Sequence, residues 1–314
     1  MAATPRAGEP SWRTLLLLAG LSLVWGLNWP AMKFVLAEMP VLTFRLLCLW
    51  LTAPAMLLIA RLGGERLGVP RRQWPALIAV SFFNVTVWYL CTGIALTLIP
   101  AGRAALLAYT MPVWVALFSA LVLRERLGRR RLVGLLLGMA GIAVLLAPEA
   151  ATLSTAPLGT LVILAAAIGW AFGVVLLKRF NFSRSVAQMT GWMLLLGGVP
   201  LAVAALLHDP PPRLLALPPA TLAVFAYIIA LPMIFGQWAW FKSLSRLPGT
   251  VAGISSLAVP AVGLLSSALL LGERLGLAEI TALALVAAAL GLVLVPGRRP
   301  VAESASGAGA AARS

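Results

Sequence analysis

Residues 110–128, TMPVWVALFSALVLRERLG, align without a gap on residues 258–276, AVPAVGLLSSALLLGERLG. Pro112 falls on Pro260, Leu117 on Leu265 and Ser119 on Ser267, and the run Glu125–Gly128 matches Glu273–Gly276 residue for residue. The same spacing puts Pro100 on Pro248 and Pro148 on Pro296. With small shifts, Trp25 pairs with Trp170, Lys33 with Lys178 and Pro54 with Pro200. Two unrelated apolar stretches do not readily share spaced prolines and a charged run at one fixed offset. The chain reads as a duplication.

Outward from this segment the sequence is apolar almost throughout. Of 314 residues 61% are hydrophobic and only 11% charged, with a mean hydropathy of +1.00. A soluble domain carries roughly 25% charged residues, so too little polar surface is present to cover a water-soluble globule. A bilayer core takes about 20 apolar residues as a helix. Ten such stretches are expected, near 13–36, 41–60, 74–98, 102–123, 132–147, 157–178, 185–207, 220–242, 250–271 and 277–295. The first is long enough to span and reads as a retained helix rather than a cleaved signal. The expected fold class is an all-α polytopic membrane protein with ten transmembrane helices in two five-helix repeats. Its parts are an N-terminal segment 1–12, a first repeat 13–147, a linker 148–156, a second repeat 157–296 and a disordered tail 297–314. An odd number of helices per repeat makes the second copy enter the membrane in the opposite sense, the arrangement of alternating-access transporters.

The net charge of +15 does not point to nucleic acid, because Lys and Arg gather at the ends of apolar stretches, where they set topology. With both termini on one side, that side holds 19 of the 24 basic residues, Arg61, Arg71, Arg72 and Arg129–Arg131 among them. The other side holds Lys33, Arg103, Arg213 and Arg274, and Arg45 lies inside the second helix. Both termini are expected in the cytoplasm and the chain in the inner (plasma) membrane. Cys48 and Cys91 lie in apolar runs and show no disulfide or metal spacing. His208, the only histidine, sits in a loop beside Asp209.

The segment Trp25-Gly26-Leu27-Asn28, the pair Phe44-Arg45, and Pro112 followed by Glu125 with Pro260 to Glu273 as a second copy resemble the drug/metabolite transporter superfamily, specifically its EamA-type branch, over about residues 13–296. Within that branch the bacterial aromatic amino-acid exporters are most similar. The resemblance implies a 5+5 fold, a central cavity between the halves and export of amino acids or related metabolites. The second half departs from the first: Ala171 follows Trp170 where the first half has Gly26, and the seventh helix has no Arg matching Arg45.

Polar and aromatic residues at mid-membrane are functional candidates, because lipid offers their hydrogen-bonding groups nothing. Trp25 and Asn28 share a face of the first helix, as do Asn84 and Trp88 of the third. Tyr109, Trp170, Gln237, Trp238, Ser255 and Ser256 complete the expected substrate-binding set. Indoles, a phenol and neutral amides suit an amphipathic organic molecule. Packing against lipid or neighbouring helices is the alternative, most plainly for Trp114 and Trp192. Pro112 and Pro260, each expected inside a helix, remove a backbone donor and free the carbonyls of Ala108 and Ser256, which suits either a hinge or a static kink. Glu125 and Glu273 fit interfacial gates or caps. No carboxylate lies at the centre of a span, so a mid-membrane acidic site for protons or sodium is not visible, and no cluster of cations at mid-depth suits a phosphorylated substrate.

The leading reading is export of amino acids with aromatic and other apolar side chains by alternating access. Other readings are a multidrug or nucleobase-type exporter, an intramembrane enzyme, which would need a catalytic motif the spans lack, and a structural protein packed through Gly134, Gly138 and Gly141. The expected partners are a small-molecule substrate and membrane lipids, with no nucleic acid and no cofactor, the chain acting as a monomer or weak homo-oligomer.

Overall fold

Long apolar runs in lipid must satisfy every backbone N–H and C=O internally, and the helix is the way a single segment does so. The computed structural model describes residues 12–124, 129–152, 156–180, 182, 185–210, 214–239 and 249–294. Among them there are helices and no strand. In chain order they are α1 (Trp12–Leu36), α2 (Val41–Leu62), α3 (Trp74–Ser81, Phe82–Val87 and Trp88–Leu98 in succession), α4 (Ala101–Ala108 and Met111–Val122), α5 (Arg129–Thr152), α6 (Ala156–Phe180), α7 (Val186–His208), α8 (Pro219–Ile228 continuing through Ile229–Phe235), α9 (Gly249–Leu271) and α10 (Leu277–Leu294). Among the described residues six helices are long and apolar enough to cross a membrane: Val41–Leu62, Arg71–Leu98, Ala101–Val122, Leu158–Phe180, Ala187–His208 and Pro219–Ala239. Leu132–Gly141, Val259–Leu271 and Leu277–Ala289 are shorter apolar helices. Glu125, the cations in 240–248, the tail over 297–314 and the side chains of Ser255 and Ser256 lie outside what is described.

The surface carries the residues a soluble protein would bury. Leu206, Leu269 and Leu277 are each more than four-fifths exposed, while Arg45 is 2% exposed. Such an inside-out distribution is stable only where the surrounding solvent is as apolar as leucine.

The helices pack across the two halves of the chain. The largest contacts join α2 to α7, α5 to α10, α1 to α9, and α6 to both α3 and α4. Small residues permit the close crossings. A Cβ on Gly26 of α1 would run into Val262 and the backbone of Gly263 in α9. One on Gly173 of α6 would stand 2.8 Å from the Asn84 backbone nitrogen in α3. Close backbone approach of this kind drives association where no hydrophobic force separates helix from lipid.

Three features differ from expectation, each for a local reason. The stretch 102–123 is not one helix kinked at Pro112. The chain turns at Tyr109–Thr110 and restarts at Met111, with Pro112 in the first turn of the new segment. A proline there gives up no hydrogen bond and avoids collision with the preceding turn. Pro260, its counterpart, does sit inside an unbroken helix. Second, α5 extends to Thr152, beyond the apolar stretch 132–147. Apolar length reports hydrocarbon thickness, whereas backbone bonds carry a helix past it. Third, Phe82–Val87 and Ile229–Phe235 widen into π-helical turns. The spacing that carries Pro112 onto Pro260 carries Asn84 onto Pro232, so the two widened turns occupy corresponding places in the halves.

Candidate functional site

A π-helical turn inserts a residue and leaves backbone groups poorly paired, and such turns are frequent at functional sites. In α3 the widened turn presents Asn84, whose Nδ2 donates to the carbonyl of Trp170 in α6 at 3.2 Å. One turn on, the Trp88 and Trp170 rings lie 6.2 Å apart at 52°. In α8 the widened turn presents the Pro232 carbonyl, which accepts from Trp25 Nε1 of α1 at 3.2 Å. Tyr227 Oη adds a bond to the Val24 carbonyl at 3.2 Å. Four of the expected residues, Trp25, Asn84, Trp88 and Trp170, thus stand at two corresponding junctions. Each junction ties the third helix of one half to the first helix of the other.

The remaining expected residues are distributed differently. Tyr109 is half-buried at the break in α4, and Gln237 is half-buried just beyond the widened turn of α8. Trp238 is exposed, its ring 5.9 Å from that of Phe235. A groove of about 280 Å³ opens between α1, α8 and α9, lined by Leu27, Pro30, Ala31, Phe34, Val224, Tyr227, Leu270 and Leu271. None of the expected substrate residues lines it. Trp192 donates to the Leu67 carbonyl at 2.8 Å and meets Trp74 edge-on, and Trp114 donates to Thr110 Oγ1.

The residue that sequence reasoning placed in a motif and left without a role is Arg45. Its guanidinium donates to Met32 Sδ at 3.0 Å and to Thr92 Oγ1 at 2.9 Å. The Phe44 and Tyr89 rings stand 5.2 and 5.7 Å from its Cζ. Among the described residues no carboxylate pairs with it, and its Nε is buried without a partner. Cation–π contacts recover about 2 kcal/mol when desolvated. A thioether and a neutral hydroxyl are weak acceptors for an ion whose burial costs several kcal/mol. Asn28 Nδ2 donates to the same Met32 sulfur at 3.5 Å, and its Oδ1 is buried without a partner. Arg45 was identifiable as a charge in an apolar helix, but its hydrogen-bond partners come from α1 and α3 and show no sequence pattern.

A second polar group ties one end of the bundle. Glu273, in the joint between α9 and α10, accepts from the Ala101 amide at 2.7 Å and the Gly102 amide at 3.0 Å. It also accepts from Lys33 Nζ at 3.4 Å. Lys33 in turn donates to the Ile99 carbonyl at 2.9 Å. A carboxylate at the first amides of α4 satisfies orphan donors and meets the positive end of the helix dipole. Arg103 pairs with Glu279 at 3.2 Å, and Asp209 accepts from the Thr43 amide and hydroxyl, each at 2.8 Å. Polar clasps of this kind close one end of a bundle yet exchange readily for water.

Two related helical halves, joined at corresponding places around aromatic, amide and buried cationic groups, define a polytopic membrane protein organised for transport. The chain belongs to the EamA-like transporter family, whose pattern matches residues 12–147 and again 157–295. It is 27% identical over 287 residues to the uncharacterized transporter YvbV of Bacillus subtilis, covering 90% of this chain and 92% of that one. It is 30% identical over 264 residues to a probable amino-acid metabolite efflux pump of Escherichia coli, covering 80% and 85%. To the protein of the same description in Salmonella typhimurium it is 29% identical, covering 85% and 90%. A crystal structure of another protein superposes with a TM-score of 0.63 at 22% identity, covering 90% of this chain and 96% of that one, which establishes the shared fold.

Proposed function

We propose that this protein exports amino acids, chiefly those with aromatic and apolar side chains, across the inner membrane by alternating access of two inverted five-helix halves. One observation carries the reading: Asn84 with the Trp170 carbonyl and Trp25 with the Pro232 carbonyl join corresponding pairs of positions at corresponding widened turns, the donor lying on the third helix in one and on the first helix in the other. Exchange of the halves sends the α1–α9 contact onto α6–α4 and maps α2–α7 and α5–α10 onto themselves. Such a two-fold relation about an axis in the membrane plane is what lets one packing convert into its mirror-facing counterpart.

The ten helices cross the membrane in succession, with both termini in the cytoplasm on the side rich in Lys and Arg. The clasp of Lys33, Glu273, Arg103 and Glu279 then seals the outer end. Trp25, Asn28, Asn84, Trp88, Tyr109, Trp170 and Gln237 line the route between the halves, with Trp238 at its edge. The efflux-pump description of the two enterobacterial relatives supports a substrate of amino-acid type, and the Trp88–Trp170 pair supports an apolar side chain. Cells overproducing the protein should hold less p-fluorophenylalanine than vector controls and grow better in its presence. Equal accumulation, with the protein present in the membrane, would refute the assignment.

A further inference from the structure

Two buried polar atoms without hydrogen-bond partners belong to side chains that meet at one sulfur. Arg45 Nε is an unused cationic donor, and Asn28 Oδ1 is an unused neutral acceptor. The Arg45 and Asn28 side chains both donate to Met32 Sδ, so a single thioether separates guanidinium from amide. Chemically the pair is complementary to a group carrying an anion and a cation a few bonds apart. We propose that Asn28, Met32 and Arg45 form the head-group subsite for a zwitterionic α-amino acid, the carboxylate taken by Arg45 and the ammonium by Asn28 Oδ1. The inference rests on the amino-acid reading above and deepens it.

The neighbouring residues fit that occupant. In the structure the Met32 sulfur and the Thr92 hydroxyl stand where carboxylate oxygens would accept from the guanidinium. Thr92 Oγ1 donates its proton to the Trp88 carbonyl at 2.7 Å and turns its lone pairs to the guanidinium, a neutral acceptor where a carboxylate would bring charge. Methionine is unbranched and polarizable, so its sulfur swings away at small cost when a stronger acceptor arrives. A guanidinium gripping a carboxylate gains charge-assisted bonds that neither a thioether nor a hydroxyl supplies. Asn28 is half-buried and Arg45 is 2% exposed, so Arg45 is the deeper of the two. Thr92 follows Trp88 by one turn of α3, about 6 Å along the helix. That separation places an aromatic side chain at the Trp88–Trp170 rings when the head group is at Arg45.

The test measures the affinity of the full-length protein in nanodiscs by tryptophan fluorescence, with L-phenylalanine, phenylalaninamide, hydrocinnamate and phenethylamine as probes. In the parent, loss of either charge from phenylalanine should weaken binding by at least about tenfold. Arg45→Gln should bind phenylalanine and its amide alike. Asn28→Asp conserves shape and sets an internal counter-ion beside Arg45. It should weaken phenylalanine at least about tenfold while phenethylamine binds more tightly than to the parent. Should Arg45→Gln not accumulate, Asn28→Asp decides alone. A parent that binds phenylalanine but does not distinguish it from its amide overturns the subsite and leaves the exporter standing, as does Asn28→Asp with the parent's order of probes. A parent that binds none of the four overturns the amino-acid reading itself, and the subsite with it.

Discussion

At the scale of single residues, the indoles of this bundle differ in what they join. Trp114 donates to Thr110 four residues earlier, and Trp192 of α7 donates to the Leu67 carbonyl beyond the end of α2. Trp25 reaches from α1 to the widened turn of α8. Trp88 and Trp170 face one another across α3 and α6. Aromatic pairs add about 0.5–1.5 kcal/mol beyond area burial, so Trp88→Ala and Trp170→Ala should each lower transport of phenylalanine by about three- to tenfold. Alanine transport in the same vesicles should change much less. Equal losses for both substrates would mean damage to folding. Trp25, Asn84, Trp88 and Trp170 were legible in the sequence because each interrupts an apolar stretch, and lipid gives such groups no partner. Arg45 was equally visible, but its role was not. The sulfur, hydroxyl and rings around it come from three helices, and hydropathy carries no record of which helices meet. The pairing of Lys33 with Glu273 was hidden for the same reason: the repeat matched each to its counterpart in the other half, not to each other.

Among the helices, the break in α4 and the continuity of α9 separate two prolines that the repeat makes equivalent. The turn at Tyr109–Thr110 is held by the Thr110 hydroxyl donating to the Leu107 carbonyl at 2.6 Å and by the Val113 amide donating to the Thr110 carbonyl at 2.9 Å. Pro112→Ala should therefore leave the turn in place and change transport less than twofold. Pro260→Ala restores a backbone bond inside an unbroken helix, and should slow transport several-fold without loss of thermal stability. Equal effects would remove the asymmetry argued here. The clasp gives a second element-scale prediction. Glu273→Gln removes the negative charge that holds Lys33 to the first amides of α4. Ala101→Cys should then react at least several times faster with an impermeant thiol reagent in that background than in the parent. An unchanged rate would make the clasp a static cap. Close crossings are equally specific: Gly26→Val should cost about 1–3 kcal/mol by overpacking against Val262. Helix ends were legible to within a few residues, 74–98 for α3 among them. The widened turns were not, because an inserted backbone residue leaves composition and hydropathy unchanged.

For the whole molecule, duplication was the strongest statement the sequence made, and the family match over both halves supports the same division. The sense of insertion rests on charge. A periplasm-dependent reporter fused in the 148–157 segment should be active, and one fused after Arg299 silent. The opposite result would turn the clasp toward the cytoplasm. The packing scheme, in which two contacts map onto themselves and two exchange, could not be read from the chain, since it depends on which faces of apolar helices meet. The account stands on one activity: carriage of an amino acid by two halves that alternate around it. The most direct measurement is counterflow in liposomes holding the purified protein, preloaded with unlabelled L-phenylalanine and supplied with a trace of the labelled compound outside. The account predicts transient accumulation of label above its equilibrium level, abolished by preloading with buffer alone and slowed by Trp170→Ala. Label that only equilibrates, at the rate of protein-free liposomes, would contradict it.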